Sequence, residues 1–548
     1  MTAHATNGGP RLELLASTAN LAGHSRNTAS QGGRPGHTRH RGSSGGVDPF
    51  VETAQWTADG TVVLTSSSDN QIAGYIVPED LLAPKVSPLE LSPSCRIQLP
   101  ERSNVLASAP YFDLAEPYTH QVLVSSRDHP IQLYYLQPNV VRSNDPRGGR
   151  KLSTASSNED EQVEDGGHSK AGPDGSTTTT TTTSHAYPAA SSLPFIKPRS
   201  ETFETATALI WPGSGQHFIA GTRNMLAKFD VSRSGSEAIM HIKTVPSGNR
   251  NSSQAGAAGA GSIIGTLRGT ISTLSAQPSP GHSQQDGTGL IAAGTWTRWV
   301  GLYDFASSGR CVATWGVASA AALTQMQTAV TSSASSDSHS STGGRLTTDK
   351  SSGGVGGAGI TQTIWSPCGR YLLVNERRSR GILVYDVRVT GRLLGWLSGR
   401  DALGNQRISC DVYPGQDGAG GFEVWSGTTH GAVKVWEAVG SREGEHAPAW
   451  DWQAHHGAAV GSACLHQSGS VVATASGSWG FEDINGSTGP FPVSPTSGSG
   501  SSSSSNSSSS ESENEEWLCR RVKESSLKLW GIAGFSLDHG GTEDRACV

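Results

Sequence analysis

The chain of 548 residues contains few cysteines and no long apolar run. Its seven cysteines are odd in number and never form a C-x-x-C pair, which indicates reduced thiols rather than a disulfide framework or a metal site. No apolar stretch approaches membrane-spanning length and the N-terminus is polar, so we predict neither a transmembrane helix nor a secretory signal. These features together predict a soluble, intracellular protein.

Helix-period patterns and catalytic motifs are also nearly absent. Gly354, Gly356 and Gly359 match G-x-G-x-x-G, but they precede a strand pattern, whereas a dinucleotide fingerprint follows a strand and opens a helix. The G-x-S-x-G match at 42–46 lies in a low-complexity tail with no strand-turn-helix elbow. The histidines are scattered, and the pair at 455–456 fits a turn between two strands. We therefore predict no enzyme activity, no cofactor and no metal site.

The chain does contain one short pattern repeated seven times, an alternating apolar run that ends in an aromatic residue. The endings are Ile72 to Tyr75, Ile131 to Tyr134, Leu226 to Phe229, Val300 to Tyr303, Ile382 to Tyr385, Val433 to Trp436 and Leu527 to Trp530. Several copies follow a turn such as Asp59-Gly60 or Pro367-Cys368-Gly369, which supplies the positive φ of a tight connection. Such repeats predict an all-β fold, a seven-bladed WD-repeat β-propeller with long disordered insertions.

The excess length lies in low-complexity segments. We expect a mostly disordered tail at 1–47, a propeller at 48–535 with disordered insertions near 141–198, 246–262, 328–359 and 482–516, and a C-terminal tail at 536–548. Within the N-terminal tail, Arg11–Ser17 is predicted to complete the seventh blade. Counting strands puts the first three insertions between consecutive blades, and the fourth between the second and third strands of the last. All four are therefore predicted on one face.

Arginine is concentrated on the turn between the second and third strands of consecutive blades. The residues are Arg127, Arg223, Arg298, Arg377 and Arg378, with Trp296 and Trp299 beside them and Arg407 further along. Guanidinium groups bind phosphate and stack on bases, and indole rings offer stacking platforms. These eight residues are the predicted nucleic-acid-binding site. The charge pattern leaves open an alternative, in which the arginines neutralise aspartates of neighbouring turns.

Particular blades and their order resemble the telomerase Cajal body protein family of WD-repeat proteins. The matching segments are Asn405-Gln406-Arg407-Ile408, the Gly-Thr-Thr-His-Gly-Ala-Val-Lys-Val-Trp run ending at Trp436, residues 290–303, 125–131 and 472–477, and the late insertion before Leu527. The resemblance covers the ring from about Phe50 to Trp530. The chain departs from the family in its insertions after blades two, three and four and in weakened dipeptides such as Tyr134-Tyr135 and Trp530-Gly531.

The resemblance implies a non-enzymatic RNA-binding scaffold of the nucleus and Cajal body. Animal members of the family recognise a loop motif in box H/ACA small Cajal-body RNAs and in telomerase RNA, and they escort those particles together with H/ACA ribonucleoprotein proteins. Fungal relatives are linked to assembly of spliceosomal small nuclear ribonucleoproteins. The implied partners are thus small nuclear RNAs and their proteins, without a membrane or a small-molecule substrate. A WD-repeat adaptor that binds proteins without direct RNA contact is the alternative.

Overall fold

Seven small antiparallel sheets form the blades of a β-propeller around a central channel. The computed structural model describes residues 2–6, 9–21, 49–136, 189–196, 202–245, 266–278, 289–306, 309–322, 324, 354–415, 421–478, 480–482, 518–520 and 524–533. The fold class predicted from the repeats is confirmed. Each predicted aromatic ending lies in the third strand of its blade.

The strands are numbered in chain order. The first two, β1 (Thr2–His4) and β2 (Arg11–Ser17), belong to the last blade. Blade 1 contains β3 (Val51–Trp56), β4 (Val62–Ser67), β5 (Gln71–Ile76) and β7 (Cys95–Gln98), with the short β6 (Leu89–Glu90) before β7. Blade 2 contains β8 (Ser103–Ser108), β9 (Gln121–Ser126), β10 (Ile131–Tyr135) and β11 (Ser191–Leu193), with the 3-10 helix Pro117–Thr119 before β9. Blade 3 contains β12 (Ala208–Ile210), β13 (His217–Thr222), β14 (Met225–Asp230) and β15 (Met240–Lys243).

Blade 4 contains β16 (Ile271–Ala276), β17 (Ile291–Thr295), β18 (Trp299–Asp304) and β19 (Arg310–Gly316), followed by helical residues 318–322. Blade 5 contains β20 (Ile360–Trp365), β21 (Tyr371–Glu376), β22 (Ile382–Asp386) and β23 (Leu393–Leu397). Blade 6 contains β24 (Cys410–Pro414), β25 (Phe422–Gly427), β26 (Ala432–Val439) and β28 (Trp450–Gln453), with β27 (Gly444–His446) pairing in parallel with β23 of blade 5. Blade 7 contains β29 (Val460–Leu465), β30 (Val471–Ser476), β33 (Ser526–Ala533) and β2, while β31 (Gly480–Glu482) and β32 (Leu518–Arg520) pair with each other.

The ring is closed by the N-terminal strand. β2 pairs antiparallel with β33, with Leu14 opposite Trp530, and Leu12 is fully buried between blades 6 and 7. β1 then pairs with β2, and Thr6 donates its backbone N–H to the carbonyl of Asp451 in blade 6 at 2.9 Å. The last blade is therefore held by both ends of the described chain.

The core lies between neighbouring blades rather than within any one of them. Leu302 and Trp315 of blade 4, for example, pack in one cluster with Trp365, Leu372 and Tyr385 of blade 5. The second strand of each blade is covered on both faces, and every residue of β21 and β30 is buried. This explains why these strands lack a strict alternation of apolar and polar residues.

A buried polar network stabilises the last blade. His455 is fully buried; its Nδ1 lies 3.0 Å from Glu524 Oε1 and its Nε2 lies 2.8 Å from Thr474 Oγ1, to which Trp530 Nε1 donates at 3.1 Å. Burial lowers the pKa of His455, which keeps the imidazole neutral. Burial alone would raise the pKa of Glu524, but hydrogen bonds from His455 and Lys528 hold it well below its usual range. His455 thus connects the turn before blade 7 to β30 and to the residues that precede β33.

The structure corrects the predicted placement of the insertion at 141–198. Ser191–Leu193 within that range forms the outer strand β11 and pairs with β10, so the connection joins the third and fourth strands of blade 2. The other three insertions leave the ring where predicted. Connections of the third-to-fourth type emerge on the opposite face, so the expectation that all four insertions share one face is wrong. The cause is that a three-residue strand, held by backbone pairing, has no recognisable side-chain pattern.

One smaller expectation also differs from the structure. Thr2–His4, expected to belong to a disordered tail, forms β1. Among the cysteines with described side chains, Cys95 and Cys410 are buried, whereas Cys368 is exposed in its turn. Among the described residues, no helix is long and apolar enough to cross a membrane.

Candidate nucleic-acid interface

The second-to-third-strand turns and the connections between blades emerge on the same face of the ring, which we call the upper face. Its turns share one backbone feature, a residue with positive φ. These residues are Asn70, Asp128, Asn224, Arg298, Arg378 and Gly431, in blades 1 to 6. The predicted arginines therefore fall into two classes. Arg127, Arg223 and Arg377 precede the positive-φ residue, whereas Arg298 and Arg378 occupy it, so their side chains leave the turn in different directions.

Two arginines of the first class, Arg127 and Arg223, have exposed side chains. Arg127 has a side chain that is 79 % exposed and lies 3.4 Å from the carboxylate of Asp128 in its own turn. Such an exposed pair contributes little and exchanges readily with another anion. Arg223 is also exposed, and its backbone bridges to Thr270 of the next blade. Both guanidinium groups can therefore reach a phosphate above the upper face.

Arg298 has a structural partner. Its Nε and Nη2 donate to the two carboxylate oxygens of Glu376 at 2.6 and 3.0 Å, and Glu376 is 2 % exposed. The same carboxylate accepts the backbone N–H of Gly357 at 3.0 Å. Arg298 thus joins blade 4 to blade 5, as in the alternative in which arginines neutralise neighbouring acidic groups.

Two further arginines, Arg378 and Arg400, follow in blade 5 and the connection to blade 6. Arg378 is exposed, and its Nε donates to Asn405 Oδ1 at 2.6 Å. Arg400, from the arginine-rich stretch before Arg407, is fully buried and donates to Ser426 Oγ at 3.0 Å and to the carbonyl of Ile408 at 2.5 Å. Burial lowers the pKa of Arg400 to about 10. Arg400 therefore stabilises the connection and takes no part in the surface.

The two predicted tryptophans also differ in their surroundings. Trp296 lies in the blade 4 turn, 48 % exposed, at the mouth of the central channel. Trp299 is part of β18, opposite Gly316 of β19, and packs against the apolar cluster between blades 3 and 4. Trp296 is thus available for stacking, whereas Trp299 supports the blade.

The channel has a volume of about 1410 Å³ and is lined by residues of all seven blades. Near the upper face the lining is polar and includes Arg377 and Arg407. Towards the other face, where the inner strands end, it becomes apolar; the residues there are Leu106, Leu209, Leu274, Ile364 and Leu465. The polar, cationic part of the channel therefore opens beside the surface arginines.

Arg407 reaches across the mouth of the channel. It lies in the connection from blade 5 to blade 6, yet its Nη2 donates at 2.8 Å to the carbonyl of Ser272 in blade 4. Burial and the nearby charge of Arg377 lower the pKa of Arg407. The Nε of Arg377 is buried and has no hydrogen-bond partner among the described residues. The two guanidinium groups thus form a cationic constriction.

The carboxylates of the channel do not neutralise this constriction. Glu52 pairs with Arg102. Asp411 accepts the backbone N–H groups of Leu465 at 2.8 Å and Val412 at 2.9 Å, and burial raises its pKa to about 6. In the part of the chain that the structure describes, no group of three His, Cys, Asp or Glu side chains is placed to hold a metal ion.

Sequence reasoning missed two arginines of the upper face. Arg102 and the exposed Arg268 lie in connections between blades, shortly before the inner strands β8 and β16. Arg407 holds the same kind of position before β24. An arginine within three residues of an inner strand is the signal that could have identified them.

Comparisons with known proteins found relatives that match part of the chain. No family model matches the chain. The human protein named telomerase Cajal body protein 1 is 36% identical over 120 residues, which are 22% of this chain and 21% of that protein. The protein of the same name from Bos taurus gives the same values, and the one from Mesocricetus auratus is 37% identical over 83 residues, 15% of this chain and 14% of that protein. The matched stretch thus spans about a fifth or less of these relatives.

Over this part of its length, the chain is thus similar to the telomerase Cajal body protein family of WD-repeat proteins.

Proposed function

We propose that this protein is a non-enzymatic scaffold that binds RNA on its upper face and escorts or assembles small nuclear or Cajal-body ribonucleoproteins of the box H/ACA class. The observation that carries the proposal is the set of arginines on consecutive turns around the mouth of the channel. At the mouth itself, the guanidinium groups of Arg377 and Arg407 have no carboxylate partner among the described residues. A surface of this kind suits a polyanion.

The names of the relatives support the biological setting. They refer to telomerase and to the Cajal body. By extension, we place this chain in the nucleus, with telomerase RNA, small Cajal-body RNAs and H/ACA ribonucleoprotein proteins as its candidate partners.

The proposed mechanism assigns different tasks to the eight predicted residues. Arg127, Arg223 and Arg378 contact phosphates of a hairpin loop, Arg377 and Arg407 act at the channel mouth, and Trp296 stacks on an unpaired base. Loops suit this surface because sequence-specific RNA recognition needs unstacked bases that rings and guanidinium planes can hold. Arg298 and Trp299 support the turn that presents Trp296.

Crosslinking and immunoprecipitation of the tagged protein from its native cells, with sequencing of the bound RNA, tests the proposal. We expect box H/ACA RNAs with crosslinks at a terminal loop. Enrichment of spliceosomal RNAs would replace the escort role by an assembly role. No RNA above the level of an untagged control would contradict direct binding and favour the protein adaptor.

A further inference from the structure

The mouth of the central channel is a candidate for a more specific contact than the surface turns can make. Arg377 and Arg407 lie close enough for the charge of one to affect the other. Neither forms an ion pair with any described carboxylate, since Glu52 is paired with Arg102 and Asp411 accepts two backbone N–H groups. Two neighbouring cations without a counter-ion raise the local affinity for an anion.

A buried hydrogen-bond donor at the channel mouth also lacks an acceptor. Arg377 Nε has no hydrogen-bond partner among the described residues. Arg407 Nη2 has one neutral acceptor, the carbonyl of Ser272. Buried donors without acceptors are costly, so such a site gains free energy from a ligand that brings acceptor oxygens.

We infer that the channel mouth between Arg377 and Arg407 binds one phosphodiester group of the RNA, drawn in below the level of the surface turns. Phosphate oxygens match paired guanidinium groups, which donate in a fixed fork. Trp296 lies exposed at the same rim, where it can stack on the base next to that phosphate. This inference rests on the proposed function and adds that one phosphate of the loop has a dedicated site.

The channel site would differ from the surface arginines in how strongly binding depends on one particular phosphate of the RNA loop. Arg127 and Arg223 are exposed and can meet any phosphate that passes above them. A phosphate in the channel mouth would instead be held between Arg377 and Arg407, whose guanidinium group is fixed by its hydrogen bond to the inner strand of blade 4. Neutralising that single phosphate should therefore weaken binding far more than neutralising its neighbours.

A methylphosphonate scan tests this difference. The probe is a synthetic hairpin of a box H/ACA small Cajal-body RNA with its terminal loop intact, labelled for fluorescence anisotropy, in which each loop phosphate in turn is made neutral. With the full-length wild-type protein, we expect one position to cost about tenfold in affinity. Arg407→Gln and Arg377→Gln should each lower the affinity for the unmodified hairpin by a similar factor. For these variants, neutralising the sensitive phosphate should cause no further loss of affinity.

Controls separate folding from binding. Arg407→Lys keeps the charge and should keep most of the affinity loss at the one sensitive phosphate. Arg96→Gln, on the outer strand of blade 1, should behave as wild type. Thermal unfolding verifies that each variant is folded. Equal losses at all loop positions, or the same loss in the wild type and in Arg407→Gln, would overturn the channel site while leaving surface binding intact. A wild-type protein that does not bind the hairpin would overturn the proposed function itself.

Discussion

Arg127 and Arg298 occupy neighbouring positions of equivalent turns and yet have different surroundings. Arg127 precedes the positive-φ residue and is largely exposed, whereas Arg298 is that residue and pairs with a buried carboxylate of the next blade. Residue type and turn position are visible in the sequence. The partner of Arg298 lies 78 residues away, so only the packing of blade 4 on blade 5 reveals it.

Substitution of Arg298 should therefore affect stability more than binding. In Arg298→Gln, the Glu376 carboxylate keeps only the N–H of Gly357 and loses its cation, which we expect to lower the free energy of unfolding by about 3 kcal/mol. Urea unfolding measures the loss. The matched control is Arg127→Gln, which should leave stability unchanged; an equal effect of both substitutions would refute the distinction.

Asp411 should make stability depend on pH. Its folded pKa of about 6 is above the ordinary value of 3.8, so the folded state binds the extra proton between these two values. Its contribution to stability is therefore full below about pH 4 and is lost as the pH rises through about 6. The amide of Asp411→Asn does not titrate, although it accepts at only one oxygen. We therefore expect the free energy of urea unfolding of this variant, relative to wild type, to be higher at pH 7.5 than at pH 4. A stability difference between the two proteins that is the same at both pH values would contradict this assignment.

At the level of the elements, the last blade depends on contacts that are distant in sequence. β2 closes it from the N-terminus, and the His455 network joins its strands from within. Leu12 and His455 each have a sequence neighbour, Glu13 and His456, whose side chain is exposed. Substitution of these neighbours therefore provides a matched control.

Truncation of Leu12 should weaken the ring closure. Leu12 is fully buried between blades 6 and 7, so Leu12→Ala should cost about 2–5 kcal/mol through lost burial and the resulting cavity. Glu13→Ala, in the same strand but exposed, should cost less than about 0.5 kcal/mol. Urea unfolding followed by tryptophan fluorescence compares them, and similar losses would argue against closure by β2.

Removal of His455 should likewise destabilise blade 7. His455→Ala leaves Glu524 and Thr474 without one of their partners, which we expect to cost about 2–3 kcal/mol. His456→Ala is the control, because His456 is exposed and contacts Glu524 through its backbone N–H. If His456→Ala were as destabilising as His455→Ala, the buried network would not be the cause.

The sequence predicted the strands whose side chains are sandwiched between blades, because burial imposes an apolar run with a recognisable aromatic end. It missed β11 and β27, which have three residues each and are held by backbone pairing. For the candidate site, it placed the arginines on turns that the structure finds between second and third strands, but it could not separate Arg298 from Arg127, or Trp299 from Trp296. Those differences depend on φ and on contacts between blades.

At the scale of the whole molecule, the ring brings connections from seven blades to one face and leaves a channel at its centre. Arginines from separate turns thereby become neighbours, and the channel adds two cations that lie below the surface. Each phosphate contact that releases counter-ions adds roughly 0.7–0.9 to the slope of log affinity against log salt concentration. The proposed RNA surface therefore has a quantitative signature that a protein-binding face lacks.

The salt dependence of hairpin binding by wild type and by the Arg127→Gln/Arg223→Gln double variant is the most direct test of RNA recognition by the upper face. Anisotropy titrations of the labelled box H/ACA hairpin at several KCl concentrations give the two slopes, with Arg96→Gln/Arg442→Gln as a control for the same loss of charge away from this face. We expect the slope of the double variant to fall by about 1.4–1.8 while the control keeps the wild-type slope. An unchanged slope in the double variant, or an equal reduction in the control, would contradict the account.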